Sequence, residues 1–81
     1  MSFTSLPLSV REIAERELTA KQLEAFRYEL AGWSLQRIAD RYDIAKQSAA
    51  GRIEGAHRRL RKAGVRQDQF GRWYIEEEVA A

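Results

Sequence analysis

SLQRIADRYDIAKQSAAGRI, residues 34–53, reads as two short helices joined at a tight corner. Ser34 is a helix N-cap residue, and Leu35, Ile38, Ala39 and Tyr42 then fall on one helical face. Asp43 breaks the pattern and belongs to a residue type that tolerates left-handed backbone better than most. A second helix starts at about Ala45 or Lys46 and runs to Ala63, where Gly64 stops it. Its Ala49, Ile53, Ala56 and Leu60 recur at spacings of four, three and four, a narrow buried stripe that leaves the other faces polar and basic. Ile38 and Ala39 supply the inner face of the first helix, Ile44 plugs the corner, and Ala49 and Ile53 face inward from the second. The spacing predicts a helix-turn-helix.

Two such helices bury little alone and need a third wall. Thr19 caps AKQLEAFRYELA, residues 20–31, where Leu23, Phe26 and Leu30 share a face and Gly32 supplies the stop. These three, with Trp33, are expected to close the core. Upstream, Ser9 is the expected N-cap of a short helix to about Glu17, with Val10, Ile13 and Ala14 on its apolar side. Residues 1–8, interrupted by Pro7, have no periodicity and read as an arm that is loose or packs on the surface. Beyond Gly64, VRQDQFGRWYI mixes β-branched and aromatic residues around Asp68 and Gly71, the pattern of a small hairpin or of an irregular segment folded over the core. Trp73 reads as a lid or a dimer contact, and EEEVAA as an exposed acidic tail. The expected architecture is all-α, three to four helices over residues 9–64, with 65–81 as a hairpin or packing segment.

Residues 9–29 shifted by 25 positions onto 34–54 match at Ser9 and Ser34, Ile13 and Ile38, Ala14 and Ala39, and Lys21 and Lys46, among others. The first copy, however, carries Thr19 and Glu24 where the second has Ile44 and Ala49. Burying an unpaired glutamate costs several kcal/mol or forces protonation, so only the second copy is expected to fold as the two-helix unit.

The 81 residues suffice for one small domain, 44% hydrophobic and 32% charged. There is no cysteine and a single histidine, His57, which excludes disulfides, thiolate chemistry and a histidine-built metal site. His57 reads as a polar helix residue. Without a Gly-rich phosphate loop or a converging carboxylate pair, an enzyme is the least expected class, and no cofactor is expected. No apolar run approaches the ~20 residues of a membrane span, and no secretory signal opens the sequence, so a cytoplasmic protein without membrane contact is expected. The net charge of +2 conceals a strong asymmetry. Residues 1–30 sum to −1, residues 31–75 carry ten basic against four acidic groups, and Glu76, Glu77 and Glu78 follow. A basic segment of +6 points to a polyanion, nucleic acid first.

LTAKQLEAF at 18–26, AGWS at 31–34, IA at 38–39 and SAAGRIEGAHRRLR at 48–61 together resemble the promoter-recognition region at the C-terminal end of bacterial sigma factors, the extracytoplasmic-function type above all. The LuxR-type helix-turn-helix is close in pattern. The resemblance covers residues 18–62, and the upstream sigma domain that melts promoter DNA has no counterpart here, so a regulator rather than a whole sigma factor is expected. Asp43 stands where the family has glycine, Ala45 where it has serine, threonine or proline, and Ala49 where it has a larger aliphatic. Gly51 and Gly55 also weaken the helix, each by about 1 kcal/mol relative to alanine, and either slacken it or allow close approach to DNA or a partner helix.

On this geometry Lys46, Gln47, Ser48 and Ala50 line the groove-facing start of the second helix, with Gly51 and Arg52 at the margin. Gln47 matches adenine, Lys46 guanine or a phosphate, and Ala50 a thymine methyl. Ser34, Arg37 and Arg41 are phosphate candidates on the first helix, and Arg58, Arg59 and Lys62 on the second, with Arg61 in the same basic run. Arg66 and Arg72 are candidates for a wing reaching a neighbouring groove. The expected function is a sequence-specific regulator of transcription, bacterial or phage, bound to double-stranded DNA as a homodimer or beside another protein. Docking to RNA polymerase through a sigma-like fold, or a phage DNA-packaging or recombination accessory role, are the alternatives.

Overall fold

A computed structural model describes residues 2–76. A 3₁₀ turn at Phe3–Ser5 precedes four helices, α1 (Leu8–Glu17), α2 (Ala20–Leu30), α3 (Leu35–Tyr42) and α4 (Lys46–Lys62), and two strands, β1 (Val65–Gln67) and β2 (Trp73–Ile75), close the chain. The fold is all-α with a small C-terminal antiparallel hairpin in which Val65 faces Ile75, Arg66 faces Tyr74 and Gln67 faces Trp73. The acidic tail expected at the end of the chain lies, from residue 77, outside the described residues.

Local chemistry sets the boundaries. The Thr19 hydroxyl accepts from the Gln22 amide at 3.2 Å while the Gln22 side-chain oxygen accepts from the Thr19 amide at 3.1 Å, a reciprocal box that starts α2. The Ser34 hydroxyl accepts from the Arg37 amide at 3.1 Å and starts α3. Asp43 ends α3 in the left-handed region at φ 53° and ψ 49°, and Gly64, at φ 95°, follows the last turn of α4. Ser9 is not the cap of α1. The helix begins one residue before it, because the Pro7 carbonyl already accepts the Arg11 amide at 3.0 Å, and a proline there forfeits no N–H bond.

The core falls into two clusters joined by α4. One gathers Ile38 and Ala39 of α3, Ala49 and Ile53 of α4 and Ala25 of α2, with Tyr28, Trp33, Leu35, Tyr42 and Ile44 half-buried against it. The other gathers Val10 and Ala14 of α1, Phe26 of α2, Ala56 and Leu60 of α4, Val65 and Trp73 of the hairpin, and Phe3, Leu6 and Leu18. The buried stripe of α4 therefore serves both, its first half against α3 and its second half against α1 and the hairpin.

Two further expectations need correction. Leu23, Phe26 and Leu30 do not wall the helix-turn-helix; they face the second cluster, and Ala25 and Tyr28 supply the wall instead. Helix α2 sits between the clusters and buries two adjacent faces, Leu23, Phe26 and Leu30 on one and Ala25 and Tyr28 on the other. The N-terminal arm is neither loose nor superficial: Phe3 and Leu6 are 6% and 4% exposed, and the Arg27 guanidinium lies 4.8 Å from the Phe3 ring centre. The sequence similarity between residues 9–29 and 34–54 does not make a second helix-turn-helix, for Glu24 is exposed where Ala49 is buried.

Candidate nucleic-acid interface

The corner residues 43–45 turn the chain so that α4 lies across α3 with Ile38, Ile53 and Ile44 at the junction. With Ala49, Ile53, Ala56 and Leu60 turned inward, about 100° per residue places Gln47, Gly51, Glu54 and Arg58 along the opposite side, and all four are exposed. Lys46 and Ser48 are exposed beside them, while Ala50 is half-buried on one flank. Ala45 caps this 17-residue helix without a side-chain bond, and its carbonyl accepts from the Ser48 and Ala49 amides at 3.0 and 3.1 Å.

Arg52 is drawn out of this row. Its guanidinium lies 4.8 Å from the centre of the Tyr42 ring, on the flank facing α3. The Tyr42 hydroxyl in turn donates to the Glu24 carboxylate at 2.6 Å. Burial, then the Glu24 bond and its negative charge, push the Tyr42 phenol well above its ordinary pKa, so it stays a proton donor. The bond ties the end of α3 to α2, and Arg52 belongs to that joint.

On α3, Ser34 is exposed although its hydroxyl serves the cap, and Arg37 lies over Trp33 at 3.9 Å from the ring centre. Trp33 itself stacks on Tyr28 at 4.1 Å between ring centres. An arginine stacked on an aromatic keeps its donors at the plane edge and loses little freedom on meeting a phosphate. Arg41 is exposed one turn on, its guanidinium 5.9 Å from the Tyr42 ring centre.

The C-terminal cations divide. Arg58, Arg59, Arg61 and Lys62 are all exposed, and of these Arg59 donates to the Glu17 carbonyl at 3.1 Å and finishes the end of α1. Arg66 pairs with Glu76 at 3.0 Å and donates to the Arg61 and Val65 carbonyls, and Arg72 pairs with Asp68 at 3.0 Å. Neither wing candidate is a spare cation. Among the described residues no carboxylate stands within ion-pairing distance of Arg37, Arg41, Lys46, Arg58, Arg61 or Lys62, and the remaining pairs are Arg16 with Glu17 and His57 with Glu29. His57 bonds Glu29 at 2.7 Å with its ring edge-on to Phe26 and Trp73, so it fastens α4 to α2.

Glu54, given no role by the motif, shares the open face with Gln47 and Gly51, a placement readable from its spacing of seven and three. Trp73, 9% exposed and edge-on to Phe26 at 5.3 Å, is a lid on the core. No helix among the described residues is long and apolar enough to cross a membrane. Compared with protein-family models, with curated proteins and with solved structures, the chain has no match.

Proposed function

We propose that this protein is a sequence-specific DNA-binding regulator of transcription, of bacterial or phage type and acting in the cytoplasm, that places the first turns of α4 in a major groove. The observation that carries the reading is the open face of α4: Lys46, Gln47, Ser48 and Gly51 exposed above a packed Ile38–Ile44–Ile53 junction, with cations on α3 and α4 that no described carboxylate neutralises. The resemblance of residues 18–62 to sigma promoter-recognition regions supports the same assignment.

Gln47 has the donor and acceptor pair that matches adenine, and Lys46 reaches guanine or a phosphate. Ser34, Arg37 and Arg41 take the backbone on one side, and Arg58 and Lys62 further along. Arg59 and Arg52, engaged within the fold, contribute stability rather than phosphate contacts. One such unit reads few base pairs, so specificity comes from a second copy or a neighbouring protein, RNA polymerase included.

Fluorescence anisotropy with a short duplex of random sequence, measured over a range of salt, tests the assignment. Affinity falls steeply with salt, and Arg37→Ala and Arg58→Ala each lower the slope by about one, whereas Arg59→Ala leaves it unchanged. Salt-independent binding, or equal losses for Arg58→Ala and Arg59→Ala, contradicts the phosphate assignment. No duplex binding, with RNA polymerase retained after nuclease treatment, replaces this reading with protein docking.

A further inference from the structure

Two glycines interrupt α4, and the fold explains only one of them. A Cβ on Gly55 would stand 2.8 Å from the Gln22 side-chain nitrogen. The Gln22 side-chain oxygen accepts from the Thr19 amide at 3.1 Å, so a side chain at Gly55 would push the Gln22 amide out of that bond. A Cβ on Gly51 would meet nothing within 4 Å. Glycine in an exposed helix interior is unfavourable relative to alanine, and Gly51 has no positive φ, no turn and no packed neighbour to require it.

Glu54 poses the matching question in charge. It is exposed on the same side as Gly51 and Gln47, in a row that ends at Arg58, and it makes no ion pair among the described residues. A carboxylate beside a phosphate chain is repelled, so on a face that merely attracted polyanions it would weaken binding. Directed at base edges instead, an ionised carboxylate only accepts hydrogen bonds, and cytosine is the base whose major-groove edge offers a donor, its N4 amine, without an acceptor beside it.

We infer that Gly51 and Glu54 form a cytosine-reading notch on α4: the missing side chain at Gly51 lets the helix backbone close on the bases, and Glu54 accepts from a cytosine N4 amine there. This rests on the duplex-binding reading above and adds the base that the site selects. The notch also works by exclusion. Where no cytosine meets Glu54, its charge remains unpaired near phosphate, so the residue lowers affinity for other sequences as it raises affinity for one.

The experiment selects bound duplexes from a random-sequence library with the wild-type chain, Glu54→Ala, Glu54→Gln and Gly51→Ala, then measures each protein on the wild-type consensus and on random duplex. The wild-type consensus contains a cytosine that Glu54→Ala no longer selects, with about fivefold or greater loss of discrimination at that base pair and tighter binding to random duplex. Glu54→Gln moves the preference there from cytosine towards adenine, because an amide both donates and accepts. Gly51→Ala raises Tm by about 4–8 °C yet weakens consensus binding, which separates a reading role from a folding defect. An unchanged consensus with Glu54→Ala, or full-strength binding by Gly51→Ala, overturns the notch while leaving duplex binding standing. A wild-type chain that retains no duplex overturns both.

Discussion

Asp43 and the two α4 glycines show how much a single backbone position decides. Asp43 holds the corner at φ 53°, a conformation that costs most side chains about 1–2 kcal/mol and glycine nothing. Asp43→Gly is therefore expected to be neutral or to stabilise by up to about 1 kcal/mol, and Asp43→Val to destabilise, as read from urea midpoints. Gly55→Ala, although it gains helix propensity, displaces Gln22 from its capping box and raises Tm less than Gly51→Ala does. The corner and the caps at Thr19 and Ser34 were legible, since each depends on residues within four positions of one another. The difference between Gly51 and Gly55 was not, because it depends on Gln22 from a different helix. The same holds for Arg52 and Arg59, whose partners Tyr42 and Glu17 are distant in sequence or invisible to spacing.

Between elements, the joint of α2 with α3 is held by the bond from the Tyr42 hydroxyl to Glu24. Tyr42→Phe keeps the ring under Arg52 and loses that bond, and a thermal melt is expected to report a loss of about 1 kcal/mol. The hairpin tip has a comparable device in Asp68, whose carboxylate accepts from the amides of Arg72 and Phe70, each at 2.9 Å, and from the Arg72 guanidinium. The Arg72 amide first, then that of Phe70 and the Arg72 side chain, hold the Asp68 carboxyl below its usual range. A lowered folded-state pKa means stability that is present above the ordinary carboxylate value and lost as pH falls through the lowered one. Amide shifts of Phe70 and Arg72 should accordingly move together at a pH below the ordinary carboxylate range, and Asp68→Ala should abolish that titration. Helix existence was readable from periodicity at this scale, but the side to which α2 turns Phe26 was not, because it buries two faces and its pattern names neither partner.

At the scale of the molecule, the two clusters share α4 and so are expected to unfold together. Phe3→Ala, in an arm with no readable pattern, empties a buried site in the cluster away from the helix-turn-helix and should cost about 3 kcal/mol in one cooperative denaturation step, without changing duplex affinity while the chain stays folded. A second, separate transition in that variant would mean that α4 does not couple the clusters. Helix α4 is the element common to both clusters, its Ala49 and Ile53 in one and its Ala56 and Leu60 in the other. The most direct measurement is a ¹⁵N–¹H amide map of the intact protein titrated with a short duplex. Groove binding through α4 predicts shifts concentrated at Ser34–Arg37 and at Lys46, Gln47, Ser48, Gly51 and Glu54, with α1 unmoved. Shifts concentrated on α1 or the hairpin, with the α4 amides unmoved, would contradict it.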